Sequence, residues 1–485
     1  LGRLQRIKDW FFPQPKTRAF YEGGKKTDAN RDFWNANSSF EQTATVDRDT
    51  LRARARWLFA NNPIMANIDG AIVDNVIGQG ITLQSRIGKK KLDDDIERRW
   101  KIWSEDKLLC DSMGKMNFAD IQRVLLGTRM VDGEVYIYKR FTKEGLQLQV
   151  IEADALDGGE DNGVEKTPDG KIKAYRFKVA DENGNYTSQT MSIPAEYIIN
   201  YYKTERFSQD RGVSEYKQSI IDIKNFSGFQ SATIMGARAR ASIAYTVKAD
   251  LDPSSTGVTK EDLKLQEING LMVYYLQKGE SIDKQAPQGA SDDYKAFTET
   301  TIRLIATARR VSYELAFKDY SKVNFASSRA SLIQDNYRFD AEQKHFISYV
   351  LNDIYSTWLE VEILRGMIKI PAVKFMTDKT EFLKQKWIKP KRSWVDPLKD
   401  LLATEKEIAM NLTTQTDEAM AQGKDFEEIL LQKKHEMELL KEHGLWVEPE
   451  TKDNTSPTQD MADARIMIEE LGERLEQLEA QNRQS

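Results

Sequence analysis

The sequence predicts an α+β protein richer in helix than in sheet, on three observations. Apolar residues recur at helical spacing over 47–78, strand-like alternation separated by Gly, Asp and Asn turns fills 134–202, and 395–443 is almost wholly helix-compatible. At 485 residues the chain exceeds the size at which one hydrophobic core keeps growing, so several substructures are expected. Hydrophobic residues at 40% and charged residues at 30% fit a folded protein with charged outer faces.

Residues 1–45 carry KK, GG, NAN and SS clusters without sustained periodicity and read as an arm ordered by a partner or not at all. Its opening LGRLQRIKDWFFPQPKTR mixes Arg3, Arg6, Lys8 and Lys16 with Trp10, Phe11 and Phe12. A membrane-surface anchor is one reading of that mixture, a docking segment the favoured one. From Asp47 onward Leu51, Ala55, Leu58, Phe59, Ile64, Ile68, Ile72 and Val76 step at helical intervals, broken at Asn62-Pro63 and stopped by Gly78 and Gly80. A second helix, NFADIQRVLLGTRM, precedes the turn Val131-Asp132-Gly133 and the strand EVYIYK. LQLQVIEA, KAYRFKVA and AEYIINYY continue an antiparallel sheet, so 47–213 forms an α+β domain.

Composition then shifts. Residues 214–243 are helix-compatible yet rich in Ser, Gly and Ala, with no broad apolar stripe, and are expected to pack against a neighbouring helix or a copy of themselves. An ordinary helix with a kink at Gly228 is the plainer alternative. Short strands, IAYTVKA and LMVYYLQ, make a small β insertion over 244–292, followed by a helix over 293–317. After the polar loop DYSKVNFASSRAS a third helix is expected from about Ser328 to Arg365. Helices then run to His443, where Gly444 is a stop. A polar linker, 449–460, leads to Met461, Ala464, Ile468, Leu471, Leu475 and Leu478, a short heptad stripe. Ten Asp/Glu against four Lys/Arg make 446–485 locally −6.

Several function classes are excluded or disfavoured. A net charge of −5 confines any nucleic-acid contact to a local surface. Cys110 is the single cysteine, which removes disulfide frameworks and multi-cysteine metal sites and fits a reducing compartment. No run approaches the roughly 18 apolar residues of a membrane span, and the opening lacks a secretory apolar stretch, so a soluble protein is expected. The three histidines, His345, His435 and His443, form no catalytic or metal-binding motif, and no cofactor is expected. GQG at 78–80 lacks the third glycine of a dinucleotide loop. The acidic loop EADALDGGEDNG, 152–163, fails the calcium-loop register, and a solvated turn is the default.

Taken in order, RARARWLFANNP and AIVDNVIGQGITLQ (52–84), FADIQRVLLGTRMVDGEVYI (118–137), IINYYKTERFSQDRGVS (198–214), DYSKVNFASSRAS (319–331), WVDPLKD (394–400) and GKDFEEILLQKKHEMELLKEHGL (423–445) resemble the bacteriophage portal proteins of the lambda-like group. The resemblance implies a non-enzymatic ring subunit: a homo-oligomer, usually of twelve, at one capsid vertex of the virion, assembled in the host cytoplasm. It would pass double-stranded DNA during packaging and ejection. Implied partners are the terminase large subunit, the major capsid protein and head–tail connector or adaptor proteins, with no membrane. The implied parts are an arm (1–46), a wing (47–213 and 329–394), stem helices (214–243 and 293–317), a clip (244–292), a tunnel loop (318–328), a helical crown (395–445) and an acidic tail (446–485).

On this reading Lys318, Lys322, Asn324, Ser327, Ser328 and Arg329 contact the DNA backbone, donors of the kinds that bind phosphate without reading bases. Helix capping by Ser327 or Ser328 is the plainer role for those serines. Lys217, Lys224 and Arg238, Arg240 on the first stem helix, with Arg303, Arg309 and Arg310 on the second, could line the channel, but pairing with Asp or Glu of a neighbouring subunit, or a solvated position, is the favoured state for each. Two readings from other classes compete: a metal-dependent nucleic-acid enzyme using the carboxylates of 152–161, and a monomeric tail or adaptor component.

Overall fold

Ser39 starts the first helix with a reciprocal cap: its side chain takes the Gln42 N–H, and the Gln42 side chain takes the Ser39 N–H. That helix, α1, spans Phe40–Asn61. In the computed structural model the described residues are 38–159, 161–181, 183–248, 266–268, 271–276, 292–321, 324–391 and 397–446. Most of the expected arm, much of the 244–292 insertion, Lys322, the Arg240 side chain and the tail with its heptad stripe therefore lie outside the described residues. Asn62 ends α1 and caps α2 (Pro63–Val76), its Oδ1 accepting from the Ile64 and Met65 amides at 3.1 Å each, with Pro63 where a missing N–H costs nothing. The expected break at Asn62-Pro63 is thus a shared cap between two helices.

Strand β1 (Thr82–Ser85), helices α3 (Lys90–Glu105), α4 (Lys107–Cys110) and α5 (Phe118–Asp132) follow. The antiparallel strands β2 (Glu134–Thr142) and β3 (Gly145–Glu152) come next, then β4 (Val164–Lys166), β5 (Ile172–Ala180), β6 (Tyr186–Pro194) and β7 (Ile198–Tyr202). They form two three-stranded antiparallel sheets, ordered β3-β2-β7 and β4-β5-β6. On β2, Val135 and Ile137 enter the main core while Tyr136 between them enters a smaller cluster with Leu156, Tyr175, Phe177 and Ile193. The period of two along a strand lets this one strand serve both cores.

Helix α6 (Ile220–Ser242) leads to β8 (Ile243–Lys248), β9 (Gln266–Ile268) and β10 (Leu271–Leu276), where β10 pairs parallel with β8 and antiparallel with β9. The helix expected over 293–317 is two, α7 (Asp292–Ala308) and α8 (Tyr313–Phe317), because Arg310 takes a left-handed φ of 53° and Ser312 caps a new start. Helix α9 (Phe325–Phe346) runs through a π-helical turn, Ile347–Leu351, into α10 (Asn352–Leu364). Short helices α11 (Ala372–Thr377) and α12 (Lys379–Phe382) precede β11 (Gln385–Ile388), which pairs antiparallel with β1 and so joins residues 82–85 to 385–388. Then come α13 (Pro397–Ala409), α14 (Gln415–Ala421) and α15 (Phe426–Glu442). Gly444, at φ 66°, ends α15 as expected.

Two compact units divide the described chain: one reaches Thr413 and takes in Ala421–Gly423, the other comprises Thr414–Met420 and the residues from Lys424. The first unit's core centres on Trp100, whose ring meets Trp103 at 4.8 Å, Trp358 at 5.0 Å, Phe118 at 5.5 Å and Trp387 at 5.9 Å. Most of these contacts are edge-on, the arrangement aromatic quadrupoles favour. In the second unit every α15 side chain is at least partly exposed. No helix among the described residues is long and apolar enough to cross a membrane.

The expectation that 214–243 lacks a broad apolar stripe to bury holds only in part. Ile220, Ile223 and Phe226 of α6, with Ile302, Ile305 and Ala306 of α7, are buried in the first unit. Farther along, α6 exposes Ile234 and Met235.

Two glycines permit the closest backbone approach. Gly133 sits at φ 98°, and a Cβ there would lie 2.4 Å from the Val213 carbonyl carbon; one on Gly212 would lie 2.1 Å from the Gly133 oxygen. Gly133→Ala and Gly212→Ala are each expected to lower stability by about 3 kcal/mol or more, through overpacking and, at 133, strained backbone. Gly228→Ala, on α6 with open space around it, should instead stabilise by roughly 0.5–1 kcal/mol. Thermal melts of the three variants check this contrast.

Candidate nucleic-acid interface

Four cations and three carboxylates meet inside the first unit, beside the start of α6 and the end of α7. Glu215 leads a single 3-10 turn, Glu215–Gln218, capped by the Ser214 side chain. Arg129 of α5 donates to Glu215 and, at 2.5 Å, to Glu342 of α9. Arg338 Nη2 donates to Glu215 Oε2 at 2.8 Å, and Arg309 Nη1 lies 3.3 Å from the same oxygen. Lys203 Nζ bonds Glu342 Oε1 at 2.9 Å. Asp69 of α2 pairs with Arg309 and accepts the Tyr216 hydroxyl at 2.6 Å, while the Arg309 guanidinium lies 4.9 Å from the centre of the Tyr216 ring.

Burial alone would raise the Glu215 carboxyl, but Arg129, Arg309, Arg338 and Lys203 outweigh it and hold it well below the usual carboxylate range. Glu342 is displaced the same way against its own burial, chiefly by Arg129. Asp69 is pushed up by burial, only partly countered by Arg309 and the Tyr216 hydroxyl. His345, beside Tyr201 on α9, is brought down to about 4 by burial and by Arg129.

This cluster corrects one expectation. Arg309 is not a channel or inter-subunit residue: it is 1% exposed and held inside its own chain by Asp69 and Glu215. Lys217 lies in the 3-10 turn before α6 and pairs with Glu205 of the same chain. Arg303 bonds Glu299 at 2.7 Å and lies over the Tyr313 ring at 5.2 Å. Lys224, Arg238 and Arg310 are exposed.

The loop between α8 and α9 begins at Lys318, left-handed at φ 56° and exposed, followed by the exposed Tyr320 and Ser321. Asp319 Oδ1 accepts the Ser321 amide at 3.0 Å. The cap of α9 is Asn324, not Ser327 or Ser328: its Oδ1 accepts the Ser327 amide at 2.9 Å, and Ser327 Oγ accepts the Asn324 amide at 3.2 Å. An Asn side chain can satisfy that third amide, so the helix starts three residues earlier than expected. Ser328 is half-buried, and the exposed Arg329 has Nη2 3.7 Å from Asp400 Oδ1. Of the expected loop contacts, Lys318 and Arg329 keep exposed cationic side chains, while Asn324 and Ser327 are engaged in the cap.

In the acidic loop each of three carboxylates meets a guanidinium. Asp154 lies 3.1 Å from Arg52 and 2.5 Å from Arg56, Glu152 lies 3.2 Å from Arg56, and Asp157 lies 2.8 Å from Arg176. Among the described residues no group of three or more His, Cys, Asp or Glu is placed to hold a metal ion. Reading the sequence missed the charged cluster altogether. Its signal was present in single charges inside apolar runs: Asp69 within NIDGAIV and Arg129 within LLGTRMV.

The family model for phage portal proteins of the lambda family matches residues 26–343. A probable portal protein of Halomonas phage phiHAP-1 is 25% identical over 465 residues, covering 89% of either chain. Portal protein B of Escherichia phage lambda is 22% identical over 473 residues, covering 86% of this chain and 89% of its own. Among solved structures, a chain from the neck of an empty GTA particle aligns with a TM-score of 0.43 at 12% identity, over 78% of this chain and 94% of that one. A chain from the virion of a native gene transfer agent particle aligns at 0.39 and 12%, over 78% and 93%. The chain is a mixed α+β protein and belongs to the lambda family of phage portal proteins.

Removing the Glu215 charge takes from buried Arg338 the carboxylate it bonds and leaves Arg129 with Glu342 and Arg309 with Asp69, so Glu215→Gln is expected to cost about 3–5 kcal/mol in denaturant titrations, against less than about 0.5 kcal/mol for the exposed Lys224→Gln. A second outcome concerns acid. A His345 value lowered from 6.5 to about 4 means its neutral form is favoured on folding, so that stability is fully present above pH 6.5 and is lost as pH falls toward 4. Melts of wild type and His345→Phe across that window should show a shallower pH dependence for the variant.

Proposed function

We propose that the chain is one subunit of a ring, dodecameric by preference, at one vertex of a phage capsid, through which double-stranded DNA is packaged and later ejected. Family membership over residues 26–343 carries this reading. In it, 47–213 and 329–394 make the wing, 214–243 and 293–317 the stem, 244–292 the clip, 318–328 the tunnel loop and 395–445 the crown. The clip docks the terminase large subunit during packaging and head–tail connector proteins afterwards, and the major capsid protein surrounds the ring. The exposed Lys224, Arg238 and Arg310 face the channel or a neighbouring subunit. The ring hydrolyses nothing itself; the motor supplies the work.

The loop touches phosphates without gripping them. Lys318, Lys322 and Arg329 supply charge, Ser321 and Ser328 supply donors, and Asn324 and Ser327 contribute what their mutual cap leaves free. Among the described residues no base-reading helix accompanies them, so contact is with the backbone alone. Each Lys–phosphate contact adds roughly one unit to the salt dependence, and a ring multiplies it by the subunit number. Weak individual contacts are what sliding DNA requires.

Negative-stain images and sedimentation of the purified protein should show a ring with a central hole; monomer alone at micromolar concentration across salt conditions would refute the assembly. Changing Lys318 and Lys322 together to Glu should leave the ring intact and reduce packaged or retained DNA regardless of sequence. A full genome packaged at the normal rate by that variant would remove the loop from the DNA path.

A further inference from the structure

Helix α8 is five residues long, far too short to hold its shape alone in water. Yet Lys318, the first residue of the loop, follows it directly and donates its amide to the Glu314 carbonyl at 2.8 Å. Whatever fixes α8 therefore fixes where the loop begins.

Two side chains from other helices do so. At its end, where the last carbonyls of a helix lack partners, Asn67 Nδ2 on α2 donates to the Leu315 and Ala316 oxygens at 2.9 and 3.0 Å. At its start, Asp335 on α9 accepts the Ser312 amide at 2.7 Å and the Ser312 hydroxyl at 2.6 Å, and Ser312 Oγ in turn accepts the Leu315 amide at 3.2 Å. Asn67 stands two residues before Asp69, which holds Arg309, and Asp335 three residues before Arg338, which holds Glu215. Both ties thus sit on helices that the buried charge cluster fixes together.

We propose that Asn67 and Asp335 are positioning residues for the DNA-facing loop, clamping α8 so that Lys318 is presented at a set place and angle to the phosphate backbone. The inference rests on the portal reading of the loop and goes beyond it, because neither residue touches DNA. Both act through Lys318. Asn67 is the sharper probe, since Asn67→Asp keeps the side chain's size while replacing two N–H donors with an oxygen that repels both carbonyls.

The test uses assembled rings of the full chain carrying Asn67→Asp, Lys318→Gln or both. Hydrogen exchange at the Ala316 and Lys318 amides should rise about tenfold in the Asn67→Asp ring, since each bond lost near a helix end opens it locally. Retention of packaged DNA should fall as it does for Lys318→Gln, and the double variant should be no worse than Lys318→Gln alone, because residues acting through one contact are not additive. Unchanged exchange overturns the proposal, as does a further loss in the double variant. If Lys318→Gln itself changes nothing, the DNA role of the loop fails and this inference falls with it. Should Asn67→Asp not assemble, Asn67→Ala, which lacks the repelling oxygen, is read in the same way; failure of both to assemble assigns Asn67 to the fold alone and overturns the proposal.

Discussion

Glu215 is the charge on which the first unit turns. It is surrounded by Arg129, Arg309 and Arg338 from three separate segments, with Lys203 at 3.8 Å. Three buried guanidiniums in one place would repel and desolvate at great cost without a carboxylate between them. Burying the carboxylate alone would be as unfavourable. Only the assembled set is tolerable, so the cluster forms when α2, α5, the 3-10 turn, the end of α7 and α9 are all in place. It specifies arrangement more than it adds stability, and Asp69 and Glu342 complete the balance from α2 and α9.

That position matters because the chain passes through it twice on the way out and back. Glu215 lies just before α6, and Arg309 just after α7, so the segment 220–308 both leaves and returns at the cluster. The two helices are then buried near this junction, through Ile220, Ile223 and Phe226 on one and Ile302, Ile305 and Ala306 on the other. Farther out they touch through Phe229, 4.3 Å from Phe297 and 5.7 Å from Tyr294, while Ile234 and Met235 stay exposed. A rigid root with an apolar, less covered outer part is what a helix pair needs if neighbouring chains are to complete its packing.

The loop that follows inherits its geometry from the same root. Arg309 is immobilised, Arg310 turns the chain through a left-handed conformation, and Ser312 begins α8 within three residues. On the far side Asn324 starts α9 with a reciprocal cap. Both flanks of the loop are thus held by side-chain hydrogen bonds, and Lys318, Tyr320 and Ser321 between them are exposed. On the proposed reading, Lys318 at the held start of the loop would meet a moving polyanion at a smaller loss of ordering entropy than the same residue on a free chain end would.

The sequence by itself determined the local elements and the family. Helical periodicity located α2 and α5, period-two alternation located β2, β3 and β5, Asn62-Pro63 marked the helix break, and the ordered motifs pointed to the portal proteins, because each of these signals is contained in a few neighbouring residues. Helix α3 went unread, since only three well-spaced apolar side chains, Ile96, Trp100 and Trp103, are buried from it, among many charges. Strand β6 was missed because its residues are almost all exposed. Only the tertiary structure decided that Arg309 is buried rather than facing a channel, that Asn324 and not a serine caps α9, and that Asn67 reaches α8 from 248 residues away. An arginine's periodicity is the same whether it faces water or a buried carboxylate; what distinguishes the two is a partner such as Asp69, 240 positions distant, that comes alongside only when the chain has folded.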